Sequence, residues 1–144
     1  MANVAPARAD DLPAILELLE RSDLPRAGLA DHLATTLVAH DGGAVVGSAA
    51  VERYGDAGLL RSVAVDRAYR GQGLGTALVG AALELARRQG VRTLYLLTTT
   101  AGDYFPRFGF RPVTRDDVAP AVRQSAEFTG ACPASALVMR ADLD

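Results

Sequence analysis

The spacing of apolar and polar positions changes character several times along the chain. Residues 2–9, ANVAPARA, read as a short first strand. In DDLPAILELLER, Leu12, Ile15, Leu16 and Leu19 recur at helical spacing, so one apolar face is expected. Asp10 or Asp11 can cap that helix, and Pro13 is tolerated in its first turn. SDLPRAGLADHL follows as a loop with at most one helical turn. Residues 35–55 predict a hairpin, with Asp41-Gly42-Gly43 supplying the positive φ angles of a tight turn. Residues 58–66 form a strand with Val63 and Val65 on one face and Leu60 and Ala64 on the other. Both faces are apolar, which marks a central strand covered on both sides. A second helix is expected to carry Leu74, Leu78, Ala81, Ala82 and Leu85 as its apolar stripe and to end at Gly90. Residues 91–100 read as a buried strand, AGDYFPRFGF as a short helix or turn closed by Gly109, and FRPV as a brief strand. DDVAPAVRQSAEF is a weaker helix or loop before a final strand in ASALVMRADL. The order β-α-β-β-β-α-β-α-β-(α)-β predicts an α/β chain with a mixed sheet of about six to seven strands and helices on both faces.

Composition narrows the setting. A chain of 144 residues predicts one domain over 1–144. The formal net charge of −2 argues against nucleic acid, which selects a strongly basic face. Cys132 stands alone, so an intrachain disulfide is impossible and a reducing compartment fits. The first residues, MANVAPARADDLP, lack the pattern of a secretory signal, and no apolar run approaches the roughly 20 residues of a membrane span. A cytoplasmic protein is expected, without membrane or nucleic-acid partners. His32 and His40 show no metal-ligand spacing, and a single thiol is commonly a packed core residue, so no metal is expected.

YRGQGLGTAL, residues 69–78, carries the densest chemical signal. Gly71, Gly73 and Gly75 alternate just where the second helix begins, behind Arg70. A helix N-terminus has unpaired N–H groups and a partial positive charge, and glycines there let the backbone close around an anion. The stretch reads as a diphosphate cradle; the plain alternative is a Gly-rich turn. A Walker loop is disfavoured, because Thr76 follows Gly75 without an intervening Lys. A dinucleotide G-x-G-x-x-G fails too: from Gly71 the sixth position is Thr76, and from Gly73 it is Leu78.

LRSVAVDRAYRGQGLGTALV resembles motif A of the GNAT acetyltransferases, R/Q-x-x-G-x-G/A after a central strand, here Arg70-x-x-Gly73-x-Gly75. AGDYFPRFGF is similar to the family's following element, ending in Gly109-Phe110, and the element order matches over nearly the whole chain. More narrowly, LLRSVAV, LLTTTAGDYFPRFGF and EFTGACPASALVM resemble small GNAT proteins associated with arsenic-resistance gene clusters. The resemblance implies that backbone amides from Gln72 to Thr76 hold the pyrophosphate of acetyl-CoA. It also implies that strands 58–66 and 91–99 splay apart and that pantetheine inserts between them, pairing with Val63 and Val65. An N–H near Ser62 or Val63 would face the thioester oxygen, where a preorganised donor stabilises the developing oxyanion. Transfer to the amine would be direct, with a base or water chain taking its proton. Phe105 is counted with the cofactor contacts.

Two departures from the family bear on mechanism. Many members have Tyr four residues before the glycine of Gly-Phe, where it protonates the leaving thiolate; here that position is Phe105 and Tyr104 is adjacent. Either Tyr104 serves from a shifted register or no protein acid is used. Some members also place a Glu base early in the central strand, where this chain has Leu59-Leu60-Arg61. Arg61 is expected to share a face with Val63 and Val65 beside the thioester, where a guanidinium suits a carboxylate or phosphonate-like group. The alternative is an internal salt bridge to Glu52 or Asp56. Glu127, Glu52 and Arg123 are further candidates, with Glu127 able to hold the amine or act as base. Thr98, Thr99 and Thr100 lie at a strand's carboxyl end, where clefts form, although they can equally cap the next helix.

An N-acetyltransferase acting on a small, amino-acid-like primary amine is the leading expectation. A non-catalytic acyl-CoA sensor or partner module is the rival from another class, and a peptide or ribosomal N-terminal acetyltransferase is a third. A homodimer through a sheet edge or the C-terminal strand is compatible with all three.

Overall fold

The structure, a computed structural model, describes residues 2–143, so both ends of the expected 1–144 domain lie outside the described residues. Seven strands form one sheet: β1 (Asn3–Pro6), β2 (Thr36–Asp41), β3 (Ala44–Tyr54), β4 (Ala57–Val65), β5 (Thr93–Thr98), β6 (Arg111–Val113) and β7 (Leu137–Asp142). Their spatial order is β1-β2-β3-β4-β5-β7-β6. Only β4 and β5 are parallel neighbours; every other pairing is antiparallel. Two longer helices, α1 (Leu12–Arg21) and α2 (Leu74–Arg88), cover opposite faces. No helix among the described residues is long and apolar enough to cross a membrane.

The α2 face is the larger core. Leu78, Val79, Ala82, Leu83 and Ala86 bury themselves against β2, β3 and β4 with Leu60, Leu94, Leu96 and Met139. The buried stripe is therefore turned from the expected one: Leu78 and Ala82 hold, but Leu74, Ala81 and Leu85 sit at its edge. The helix ends as expected, with Gly90 N–H bonded to Arg87 O (3.0 Å) and Val91 N–H to Ala86 O (2.9 Å). On the other face α1 buries Ile15, Leu18 and Leu19, while Leu12 and Leu16 are only half-buried. No Asp side chain caps α1. Asp11 instead accepts from Arg8 N–H (2.8 Å) and pairs with His40 Nε2 (2.8 Å). Short 3₁₀ turns replace the weak helix expected after Pro112, and a single π-helical turn spans Glu127–Ala131.

β4 differs most from expectation. Ala50 pairs with Arg61, but Ser48 pairs with Ala64, so two residues of β4 oppose one of β3. Ser62 is the bulged residue, with φ +59. The bulge reverses the alternation of side chains within the strand. Leu60 consequently lies with Val63 and Val65 on the α2 side, and Ala64 faces α1, correcting the expected split. Arg61, paired with Ala50 of the α1-side core, is likewise on the face opposite Val63 and Val65.

Candidate functional site

Two strand ends and one helix end define the site. β4 and β5 pair only at Ala57–Thr93, Gly58–Leu94 and Leu59–Tyr95, although each strand runs on beyond those residues. Past Leu59 and Tyr95 they part, and a cleft of about 1170 Å³ opens between them. That is above the roughly 300–1,000 Å³ of a site for one drug-sized ligand. The cleft extends from the start of α2 to a buried group of charged side chains around Arg61.

At one end, Gly73 is the N-cap residue of α2 with φ +83, and Gly71 has φ +78. A Cβ on either would meet nothing within 4 Å, so both leave open space above the backbone. No side chain caps α2. By helix geometry the N–H groups from Gly73 to Thr76 have no intrahelical acceptor. The donors and open space fit a diphosphate. Arg70 stands beside them, its Nε donating to Val65 O at 3.0 Å. Gly75 lies under the Tyr104 hydroxyl, 3.2 Å from where a Cβ would be. That hydroxyl is 3.5 Å from Thr76 Oγ1. The Tyr104 ring is held by Phe105 and Phe108 (centroids 5.3 Å each) and by the Arg107 guanidinium 4.4 Å above it. Phe105 is buried in the α2-side core while still lining the cleft.

At the other end lies a buried ionic network. The Arg61 side chain is 0% exposed. Its Nη1 donates to Glu52 Oε2 (2.8 Å) and to Ala27 O (2.7 Å), its Nη2 to Pro25 O (3.1 Å), and its Nε to Ser62 Oγ (3.1 Å). Glu127 Oε2 lies 3.4 Å from the same Nε. Glu52 also accepts from Tyr54 (2.5 Å) and faces His32 Nε2 at 3.7 Å. Burial works to raise the Glu52 carboxyl, but hydrogen bonds from Tyr54, Arg61 and Ser125 outweigh it and hold it below the ordinary value. Glu127 goes the other way: burial, aided by Glu52 and opposed by Arg61, pushes it up to about 7. The Cys132 thiol donates to Glu127 Oε1 at 3.7 Å. Burial and the Glu127 charge push that thiol up to about 12, which leaves it protonated and unreactive.

Most residues singled out from the sequence converge here. Arg61, Ser62, Val63, Val65, Arg70, Gly71, Gly73, Gly75, Thr76, Thr98, Thr99, Tyr104, Phe105 and Glu127 all line the cleft. Gln72 and Arg123 are exposed and do not line it, and Glu52 is buried behind Arg61. Of the two sequence-derived alternatives for Arg61, the internal salt bridge to Glu52 is formed. The guanidinium shares no face with Val63 and Val65, because the Ser62 bulge turns it away. Thr98 Oγ1 accepts from Ala101 N–H at 2.9 Å, so it caps the following turn. Sequence reasoning missed the loop from Ser22 to Pro25, whose Pro25 carbonyl meets Arg61, and Arg107. Neither carries a local motif; only the fold brings them to the cleft.

Comparison with known proteins agrees with this architecture. The profile of the acetyltransferase (GNAT) domain family matches residues 32–112. The amino-acid acetyltransferase of Pseudomonas fluorescens (strain Pf0-1) is 40% identical over 70 residues, 49% of this chain and 16% of that protein. N-acetylglutamate synthase from Neisseria gonorrhoeae, solved with coenzyme A and N-acetyl-glutamate, superposes with a TM-score of 0.84 at 23% identity, covering 100% of this chain and 35% of that one. Rv2747 from Mycobacterium tuberculosis, solved in complex with CoA, gives a TM-score of 0.83 at 28% identity over 99% of both chains. The match thus spans about a sixth of the curated relative's length and about a third of the synthase chain.

Proposed function

The chain belongs to the GNAT acetyltransferase family, and from that premise we propose that it transfers an acetyl group from acetyl-CoA to the primary amine of a small, amino-acid-like acceptor. The observation that carries this reading is the cleft: it joins the uncapped, glycine-lined start of α2 to a buried carboxyl poised near neutrality. The likeness to an amino-acid acetyltransferase and to N-acetylglutamate synthase supports an amino-acid-like acceptor.

The glycine end fits acetyl-CoA, which supplies the activated acetyl group as a thioester. The N–H groups from Gly73 to Thr76, with Arg70, would hold its diphosphate. The unpaired edge of β4 around Val63 would receive its pantetheine arm. At the far end Glu127 accepts the proton that an ammonium must lose before it can attack. A carboxyl near pH 7 is better matched to that task at neutral pH than an ordinary one. Tyr104 is assigned the proton given to the departing thiolate. The other phenol lining the cleft, Tyr69, is committed to Asp41 at 2.6 Å, whereas among the described residues the Tyr104 hydroxyl has only the 3.5 Å contact with Thr76.

The narrower resemblance to arsenic-cluster GNAT proteins adds one acceptor class, an amino-acid arsenical with a free amine. The single cysteine, which can form no intrachain disulfide, suits a reducing cytoplasm. β1 and β6 end the sheet and offer edges to a second copy, so a homodimer is included in the proposal. The decisive experiment incubates the protein with acetyl-CoA and separate panels of free amino acids, amino-acid arsenicals and peptides, reading acetylated product by mass spectrometry. Product on free amino acids or arsenicals is the expected result. Product on peptides alone overturns the acceptor class. Tight acetyl-CoA binding with no product on any amine favours the binding module, a reading supported by Phe105 at the family's usual Tyr position.

A further inference from the structure

Outside the cradle, the most complete arrangement of buried charge is the pair of carboxylates that share Arg61. Their claims on it are unequal. Glu52 makes a charge-assisted hydrogen bond of 2.8 Å to Nη1, whereas Glu127 stands 3.4 Å from Nε. The Nε hydrogen is directed to Ser62 Oγ, and Pro25 and Ala27 carbonyls occupy other donors. Glu127 is thus left with the weaker share of one cation, although both side chains are almost wholly buried. Ser125 stands beside both: its Oγ accepts the Glu127 N–H at 3.2 Å and helps to hold the Glu52 carboxyl below its ordinary value.

We infer that Glu52 is a positioning residue for deprotonation of the acceptor: by engaging Arg61 from β3, it keeps that guanidinium from neutralising Glu127 and so preserves Glu127 as a proton acceptor. This rests on the reading of Glu127 as the base. Glu52 itself cannot take the proton, since it lies behind Arg61 and does not line the cleft. One proton moves, from the acceptor ammonium to Glu127, and the Glu52–Arg61 pair stays ionised throughout. The charged and titratable groups around Glu127 are Arg61 on β4, Glu52 on β3 and Cys132 on its own turn, with Arg115 acting on Cys132 from further off. Around Glu52 they are Arg61, Tyr54 and His32. Among these, only Glu52 adds a second negative charge beside Glu127. Removing that charge frees Arg61 for Glu127 and makes Glu127 a weaker base.

The test compares Glu52→Gln and Glu52→Asp in the full chain. Glutamate carboxyls are labelled with carbon-13, and the Glu127 resonance is identified by its loss in Glu127→Gln. The acid limb of kcat/KM for the amine is recorded in parallel. In Glu52→Gln the Glu127 titration and the acid limb should both move down by about one pH unit or more. In Glu52→Asp, which keeps the charge, both should stay near the wild type. An unmoved Glu127 titration in Glu52→Gln overturns the positioning role. A titration that moves while the acid limb does not leaves the electrostatic linkage intact but overturns Glu127 as base. If Glu52→Gln does not fold, Tyr54→Phe replaces it. Without that donor Glu52 draws harder on Arg61, and the Glu127 titration should rise; no change there overturns the inference.

Discussion

Gly73→Asp tests the cradle, provided that Gly73→Ala is measured beside it. Gly73 has φ +83 at the N-cap of α2, and a Cβ there meets nothing within 4 Å. Replacing it by Ala therefore creates no clash and costs only the left-handed backbone, about 1–2 kcal/mol of stability. Asp adopts that conformation more readily than Ala, so its folding cost is no greater. What Asp adds is a carboxylate in the space assigned to a diphosphate. Two unit charges about 5 Å apart repel by about 1 kcal/mol in water and about 3 kcal/mol at an effective dielectric constant of 20. The cradle is open to solvent on one side and walled by protein on the other, so the cost falls between those limits. Acetyl-CoA should bind Gly73→Asp roughly 5- to 150-fold more weakly than Gly73→Ala. Isothermal titration calorimetry at low and high salt measures the difference directly. Raising the salt to about 1 M shortens the screening length to about 3 Å and should shrink the gap. If Asp and Ala variants bind within about twofold of each other at low salt, the cradle holds no anion and the reasoning fails.

Glu127→Gln should lower kcat/KM for the amine by about 10²–10⁴-fold and abolish its acid limb, with acetyl-CoA affinity unchanged by calorimetry. The same residue sets a stability trend. Its folded value, raised to about 7, favours the protonated form, so its contribution is complete below the ordinary carboxyl range and is lost as pH rises through 7. Thermal unfolding should show the wild type losing up to about 3 kcal/mol between pH 5 and pH 8, and Glu127→Gln losing much less. Arg61→Ala leaves two buried carboxylates without their cation and should destabilise the fold by about 3–5 kcal/mol in urea titration. An Arg61→Ala variant of unchanged stability would contradict the network. Tyr104→Phe should reduce kcat by about 10²-fold at unchanged KM; activity within threefold of wild type would show that the thiolate leaves without a protein acid.

The glycine-lined start of α2 and the element order are legible in the sequence because they depend on local chemistry. Gly73 and Gly75 must sit where a helix starts, and the alternation in TLYLLT gives β5 apolar residues on both faces, as Leu94 and Leu96 on one side and Tyr95 on the other confirm. The face of Arg61 was not legible, and the reason is one residue. LLRSVAV reads as an unbroken strand, since serine carries no signal for a left-handed backbone as glycine would. Ser62 nonetheless adopts φ +59, and the bulge it creates reverses the pattern on either side. One contact distant in sequence and one from its neighbour hold it there: Ser48 Oγ on β3 donates to Ser62 O at 2.7 Å, and Arg61 Nε donates to Ser62 Oγ at 3.1 Å.

That reversal links the fold to the chemistry. With regular alternation Arg61 would share the α2 face with Val63 and Val65 and present its charge beside the cofactor. With the bulge, Val63 and Val65 remain on the α2 side, while the guanidinium turns to Glu52 and to the loop carbonyls of Pro25 and Ala27. The site then separates its charges along the cleft. The uncapped start of α2 lies at one end, the end proposed for a diphosphate, and the other end holds two carboxylates around one cation. On the proposed reading, an amine approaching as an ammonium ion would meet carboxylates there that could take its charge and then its proton. A residue that shows no motif in the sequence thus sets the face on which Arg61 and its two carboxylates lie, and with it, on the proposed reading, the end of the cleft assigned to the amine.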